Sequence, residues 1–179
     1  MGELLAADGH AVGIIVVGGA SLNLLGLLER GTSDVDVLAV AQRDSTGSTE
    51  MRNPAPLPAT LARAMATVAR DLRLPENWMN TDVALQWKVG LPPTLPDDLT
   101  WETFGGLTVG LAGRQTLIML KLFAATDSGP NSVHMQDLIA LGPTDAELAG
   151  AADWVKTQDA SDAFPTLLAG AIEHVRCHT

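Results

Sequence analysis

Apolar residues along the chain recur at two different spacings, and the change of spacing divides the molecule. Val12 to Val17 (Val-Gly-Ile-Ile-Val-Val) is a short β-branched run that predicts a buried strand. Gly18-Gly19 then makes a tight turn, and Ala20 to Glu29 predicts a helix with Leu22, Leu25, Gly26 and Leu28 at packing positions. Gly31 and Thr32 close a second turn ahead of Val35, Val37, Leu38, Ala39 and Val40, which predict a second strand. Ala41 to Pro58, rich in Ser, Thr, Gly, Asn and Pro, is expected to be a loop. Pro58 suits the first turn of a helix running to about Leu72, with Leu61, Met65, Val68 and Leu72 on one stripe and Arg63 and Arg70 on another face. Leu74 to Asn80 breaks that helix. Asp82 to Lys88 is a short apolar segment whose spacing fits no one state, and Pro92, Pro93 and Pro96 mark a loop. Trp101 to Ala112 alternates as one or two strands, with Leu107, Val109 and Leu111 on one face.

From Gly113 the spacing is helical. Gly113 to Thr126 carries Leu117, Leu120 and Ala124 on one side, Ser132 is placed to cap a helix ending at Leu141, and Thr144-Asp145-Ala146-Glu147 has capping-box spacing. Pro165 opens a last helix towards Val175. The expected class is therefore α+β, with strands and helices mixed over 1–112 and helices alone over 113–179. No internal repeat and no linker interrupts this order.

At 46% apolar residues the chain is globular rather than disordered. Aromatic residues make up 4% and Tyr is absent, which argues against a stacking platform for single-stranded nucleic acid. The single cysteine, Cys177, excludes an internal disulfide framework and a thiolate zinc site, and a reducing cytoplasm is the simplest expectation. The N-terminal residues lack a basic leader segment, and no apolar run approaches the ~18 residues a membrane span needs. A net charge of −10 argues against a general nucleic-acid binder. Charge is uneven, however: Arg43 to Lys88 holds six basic residues against five acidic, whereas Asp127 onward holds eight acidic against two basic. A polyanionic partner should approach the first half; a solvated acidic surface with no partner is the competing account.

The candidate chemistry begins with Asp34 and Asp36. Separated by one residue at the entry to an apolar run, they point to the same side of a strand, where like charges repel unless a cation lies between them. Oxygen-only ligands suit Mg²⁺, which commonly takes one or two carboxylates plus substrate phosphates. Gly18 and Gly19, between strand and helix, offer backbone N–H groups to a phosphate, and Ser21 a hydroxyl. Lys121 stands in Met119-Leu120-Lys121-Leu122-Phe123-Ala124, so its ammonium either reaches an anionic partner or snorkels out of a core helix. His134 is a weaker candidate for metal or phosphate, and a capping or surface role suits it as well. Trp78, Trp87, Trp101 and Trp154 have no cage-like spacing and are expected in the core or at its rim.

The unit Gly18-Gly19 … Gly26-x-x-x-Arg30-x-Thr32-x-Asp34-x-Asp36 resembles the nucleotidyltransferase superfamily, and more narrowly the nucleotidyltransferase toxins of bacterial toxin–antitoxin pairs, of the AbiEii and MenT type. Lys121-Leu122-Phe123-Ala124 followed by Asp137-Leu138-Ile139-Ala140-Leu141 is similar to the Lys-Leu-x-Ala and Asp-Leu-x-x-Leu helices of those toxins. The resemblance implies a polymerase-β-like fold, a small mixed sheet with flanking helices over 1–112 as catalytic core, with helices over 113–179 completing the site. It implies Mg²⁺ on Asp34 and Asp36, an NTP held by Gly18, Gly19, Ser21 and Lys121, and Asp137 as a further acidic group near the metal, a base, or the partner of Lys121. Arg30 and Thr32 would support the Asp-x-Asp turn. The implied reaction moves NMP from an NTP to an acceptor hydroxyl, with tRNA as acceptor and a cognate antitoxin as partner. A small-molecule or protein acceptor, or a catalytically silent binding module on the same scaffold, are the alternatives. Thr126, His134 and Gln136 stand where the toxins carry further charged residues, and no acidic residue falls in Leu107 to Ala112.

Overall fold

The β-branched run at Val12–Val17 forms the central strand β1, and its alternation accounts for both layers of the molecule. In the computed structural model, which describes residues 1–44 and 46–179, β1 has a helix on each side of it in sequence, α1 (Gly2–Ala7) and α2 (Gly18–Leu24). There follow β2 (Val35–Arg43), β3 (Thr49–Arg52), α3 (Ala59–Leu72), β4 (Met79–Asn80) and a 3-10 helix at Asp82–Lys88. The chain continues through β5 (Leu99–Phe104), β6 (Leu107–Ala112), α4 (Arg114–Ser128), α5 (Val133–Leu141), α6 (Asp145–Val155) and α7 (Phe164–Arg176). The fold is α+β: a six-stranded mixed sheet in the order β3-β2-β1-β6-β5, with β4 beside β2, flanking helices, and a helical C-terminal part. β1 pairs antiparallel with β2 and parallel with β6.

Ile15 and Val17 face one side, where with Leu38 they pack against Leu117, Leu122, Leu138, Trp154 and Phe164. Ile14 and Val16 face the other, with Val37, Leu107, Val109 and Leu111 against Leu5, Leu61 and Ala64. One apolar cluster thus runs unbroken from the sheet into the helices after Gly113.

Three expectations are corrected. The segment Ala41 to Pro58 is not all loop: β2 runs on to Arg43 and hairpins into β3, with Ala41 opposite Met51 and Arg43 opposite Thr49. Turn-forming residues between the strands swamp the short alternation of Thr49-Glu50-Met51-Arg52; Ser45, in the same segment, lies outside the described residues. The helix expected from Ala20 to Glu29 starts at Gly18 and ends at Leu24, because Gly26 adopts a left-handed φ of +65° and terminates it. Gly26 is no packing position, since nothing lies within 4 Å of where its Cβ would stand. On α3, Leu72 is exposed at 67% and Ala64 and Ala69 are buried with Leu61, because Arg73 turns left-handed and ends the helix just beyond it. The segment of unassigned state is the 3-10 helix, which Trp87 ties to β2 by donating to the Leu38 carbonyl at 2.7 Å.

The expected caps form. Ser132 accepts from the Met135 N–H at 3.2 Å, and Thr144 with Glu147 closes the capping box of α6. Glu147 is also gripped by Arg114 at 2.7 and 3.1 Å, while the same guanidinium donates to the Leu141 and Gly142 carbonyls. That grip, chiefly the hydrogen bond from Arg114, lowers the Glu147 pKa from 4.5 to about 2. Because the folded value lies below the unfolded one, the stabilisation is whole above pH 4.5 and fades as the pH falls towards 2. Glu147→Gln is expected to lose roughly 1–2 kcal/mol at pH 7, discounted for partial exposure, and its difference from the parent is expected to shrink as the pH falls from 4.5 towards 2 in urea titrations.

Candidate functional site

At one end of the sheet the last residue of β1 pairs with Asp36 near the start of β2, and Asp36 pairs on its other side with Asn80 of β4. Gly18 follows at a φ of +69°, and a Cβ there would run into the Asp36 carboxylate, so the turn admits that carboxylate only because it has no side chain. A Cβ on Gly19 would stand 2.7 Å from Arg30 Nη2 and 2.8 Å from Thr32 Oγ1. Asn23 clasps Arg30, donating to its carbonyl at 2.6 Å and accepting from its N–H at 3.1 Å. Thr32 Oγ1 lies 3.2 Å from both the carbonyl and Oδ1 of Asp34. The spacing of glycines, Arg30, Thr32 and Asp34 is therefore one interlocked turn.

Asp36 and Asp34 stand in different surroundings. Asp34 is exposed and immediately precedes β2, whereas Asp36 lies within it and is half-buried. Burial, then the neighbouring charge of Asp34, raises the Asp36 pKa above its ordinary 3.8, against opposing help from Asn80 and Lys121. Its neighbours leave this carboxylate short of positive charge.

Lys121, 5% exposed on α4, places Nζ 2.6 Å from Asp137 Oδ2, and Asp137 is 2% exposed on α5. Arg30 Nε approaches Asp137 Oδ1 at 2.7 Å with its N–H turned off the line to the oxygen, so this contact is coulombic rather than a hydrogen bond. Both Asp137 oxygens thus face cations. Of the three roles open to Asp137, this geometry fits the partner of Lys121, not an exposed base or metal ligand. Ser21 is corrected too: it is fully buried and donates to the Ala112 carbonyl at 3.0 Å, so its hydroxyl does not face a phosphate.

Gly18, Asp36, Lys121 and His134 line one cleft of about 340 Å³, with Val83, Leu117, Leu120, Phe123 and Phe164 as its apolar wall and Asp127 and Asp159 among its carboxylates. Burial, then the charge of Lys121, holds the His134 imidazole below its ordinary 6.5 against the pull of Asp137. Among the described residues no group of three or more His, Cys, Asp or Glu side chains is arranged to hold a metal. The pair Asp34 and Asp36, oxygen donors only and crowded by like charge, does fit a Mg²⁺ that takes its remaining ligands from phosphate and water. Sequence reasoning missed Asn80, since an isolated polar residue in a two-residue strand leaves no periodic signal, and it missed the wall supplied by Val83 and Phe164. Of the four tryptophans, Trp154 is buried and Trp78, Trp87 and Trp101 pack at the core's edge.

No family model matches this chain, and neither a curated protein nor a solved structure matches it. Among the described residues no helix is long and apolar enough to cross a membrane.

Proposed function

We propose that the protein is a Mg²⁺-dependent nucleotidyltransferase of the polymerase-β-like kind, moving NMP from an NTP to an acceptor hydroxyl. The observation that carries this reading is Asp36: a half-buried carboxylate, short of positive charge, in a cleft shared with a glycine turn and a buried lysine. In the reaction the acceptor oxygen bonds to the α-phosphorus, the bond from that phosphorus to the bridging oxygen breaks, pyrophosphate leaves and the acceptor loses its proton. Bound Mg²⁺ would supply charge neutralisation across the phosphates, held by Asp34 and Asp36. Gly18 and Gly19 let the triphosphate approach the backbone, and Lys121, which among the described residues has Asp137 as its one protein acceptor, keeps protons for a phosphate oxygen. Asp137 holds the Lys121 ammonium in place.

For the acceptor we propose tRNA, in a toxin restrained by an antitoxin, on the strength of the motif resemblance. Exposed Arg43, Arg52, Arg63, Arg70 and Arg73 on the first half of the chain would meet its phosphates. One observation favours a second reading, a small cationic acceptor: Asp127 and Asp159 line the cleft while the charge of Lys121 is matched by Asp137. Labelled NTPs incubated with Mg²⁺ and either total tRNA or aminoglycosides separate the two. Asp34→Ala is expected to abolish label transfer with the fold intact by circular dichroism; undiminished transfer would overturn the metal assignment. A silent binding module would give no metal-dependent heat with NTP in calorimetry.

A further inference from the structure

We propose that Asn80 is the positioning residue that sets the Asp36 carboxylate for its cation, an inference that rests on the nucleotidyltransferase reading of this site. Asn80 belongs to β4, a strand of two residues whose parallel pairing with β2 sets Met79 beside Val35 and Asn80 beside Asp36. The pairing is anchored one residue earlier, where the Val35 N–H donates to the Trp78 carbonyl at 2.7 Å. The register brings the Asn80 amide to the carboxylate, and the backbone beyond β4 fixes which end of the amide it meets. The Asp82 N–H donates to Asn80 Oδ1 at 3.0 Å, so the amide oxygen is already engaged and the Nδ2 protons must point the other way. Nδ2 then donates to Asp36 Oδ1 at 3.2 Å. Asp36 Oδ2 faces the open glycine at position 18, where a Cβ would collide with it. One oxygen is held and the other is presented.

The chemistry of the holding group matters as much as its position. Asp137, in the same molecule, shows what charged partners do: Lys121 and Arg30 face its two oxygens and already match its charge. A neutral amide restrains Asp36 without supplying the positive charge that the carboxylate lacks, so the place of a cation stays open. Groups that orient a ligating carboxylate in this way change metal affinity by about 10–100-fold when removed.

The test uses Asn80→Ala and the size-matched Asn80→Leu, titrated with MgCl₂ by calorimetry, with melting temperatures recorded in metal-free buffer. The expected result is a Mg²⁺ affinity lowered about 10–100-fold in both variants, with melting temperatures close to that of the parent protein. Parent-like affinity in both variants overturns the positioning role and leaves the nucleotidyltransferase reading standing. A loss that merely follows unfolding of both variants overturns it in favour of a structural role. A parent protein that takes up no Mg²⁺ sinks both.

Discussion

Asp36→Asn is expected to do two opposite things: to reduce nucleotidyl transfer by about 10³-fold or more, from the several kcal/mol a bound metal contributes, and to make the metal-free protein more stable. The second effect follows from the sign of the pKa shift. Burial and the nearby Asp34 raise the Asp36 pKa, so the folded chain binds a proton there more readily than the unfolded chain does. Such a group stabilises at pH below its unfolded pKa of 3.8 and loses that contribution as the pH rises through the higher folded value, so at neutral pH the ionised carboxylate is a net burden. The amide removes the charge and keeps the shape. Urea melts with chelator present, from pH 7 down to pH 4, are expected to converge for parent and variant as the parent becomes protonated. Millimolar Mg²⁺ with NTP should then raise the melting temperature of the parent and leave the variant unmoved, because binding stabilises only the form that binds. A variant less stable than the parent at pH 7 without metal would show that Asp36 is an ordinary structural carboxylate.

What could be read from the residue order, and what could not, divides along a physical line. Elements announced by dense local signals appear where expected: the β-branched run of β1, the capping box of α6, the Ser132 cap, and the apolar alternation of β6. Elements defined by a partner distant in sequence do not. β3, whose four-residue alternation is swamped by the turn residues before it, is fixed by pairing with β2, where Ala41 meets Met51, and β4 exists because Asp36 and Asn80 meet 44 residues apart. The candidate site divides the same way. Gly18, Asp34, Asp36 and Lys121 could be picked out by type and spacing, and the fold brings Gly18, Asp36 and Lys121 into one cleft. Ser21 escapes sequence reasoning because a hydroxyl two residues after a glycine turn reads equally as a ligand or as a buried donor, and the acceptor that decides the matter, the Ala112 carbonyl, is 91 residues away. Asp137 carried three readings for the same reason: its role depends on Arg30 and Lys121 both reaching it.

The largest effect on stability is expected from Asp137→Ala. The substitution leaves Lys121, with a side chain 6% exposed, and the partly buried Arg30 facing each other with no anion between them. Removing one member of a buried ion pair typically destabilises by about 3–5 kcal/mol, because the remaining charge is desolvated and unpaired. For a chain of this size that is a fall in melting temperature of roughly 6–20 °C. Asp137→Asn should fall between parent and alanine, since the amide still offers Lys121 an oxygen while lacking the charge. Removing Lys121 and Asp137 together, as Lys121→Met with Asp137→Leu, is expected to recover the part of the loss that comes from the unpaired lysine, because an apolar pair of similar volume leaves no buried ammonium, while Arg30, 29% exposed, remains without its anion. That recovery separates stability from chemistry. If Lys121 does no more than pair with Asp137, the double variant regains activity along with its fold. If Lys121 also serves the triphosphate, the double variant is folded and inactive, with a weakened affinity for NTP that added Mg²⁺ does not restore.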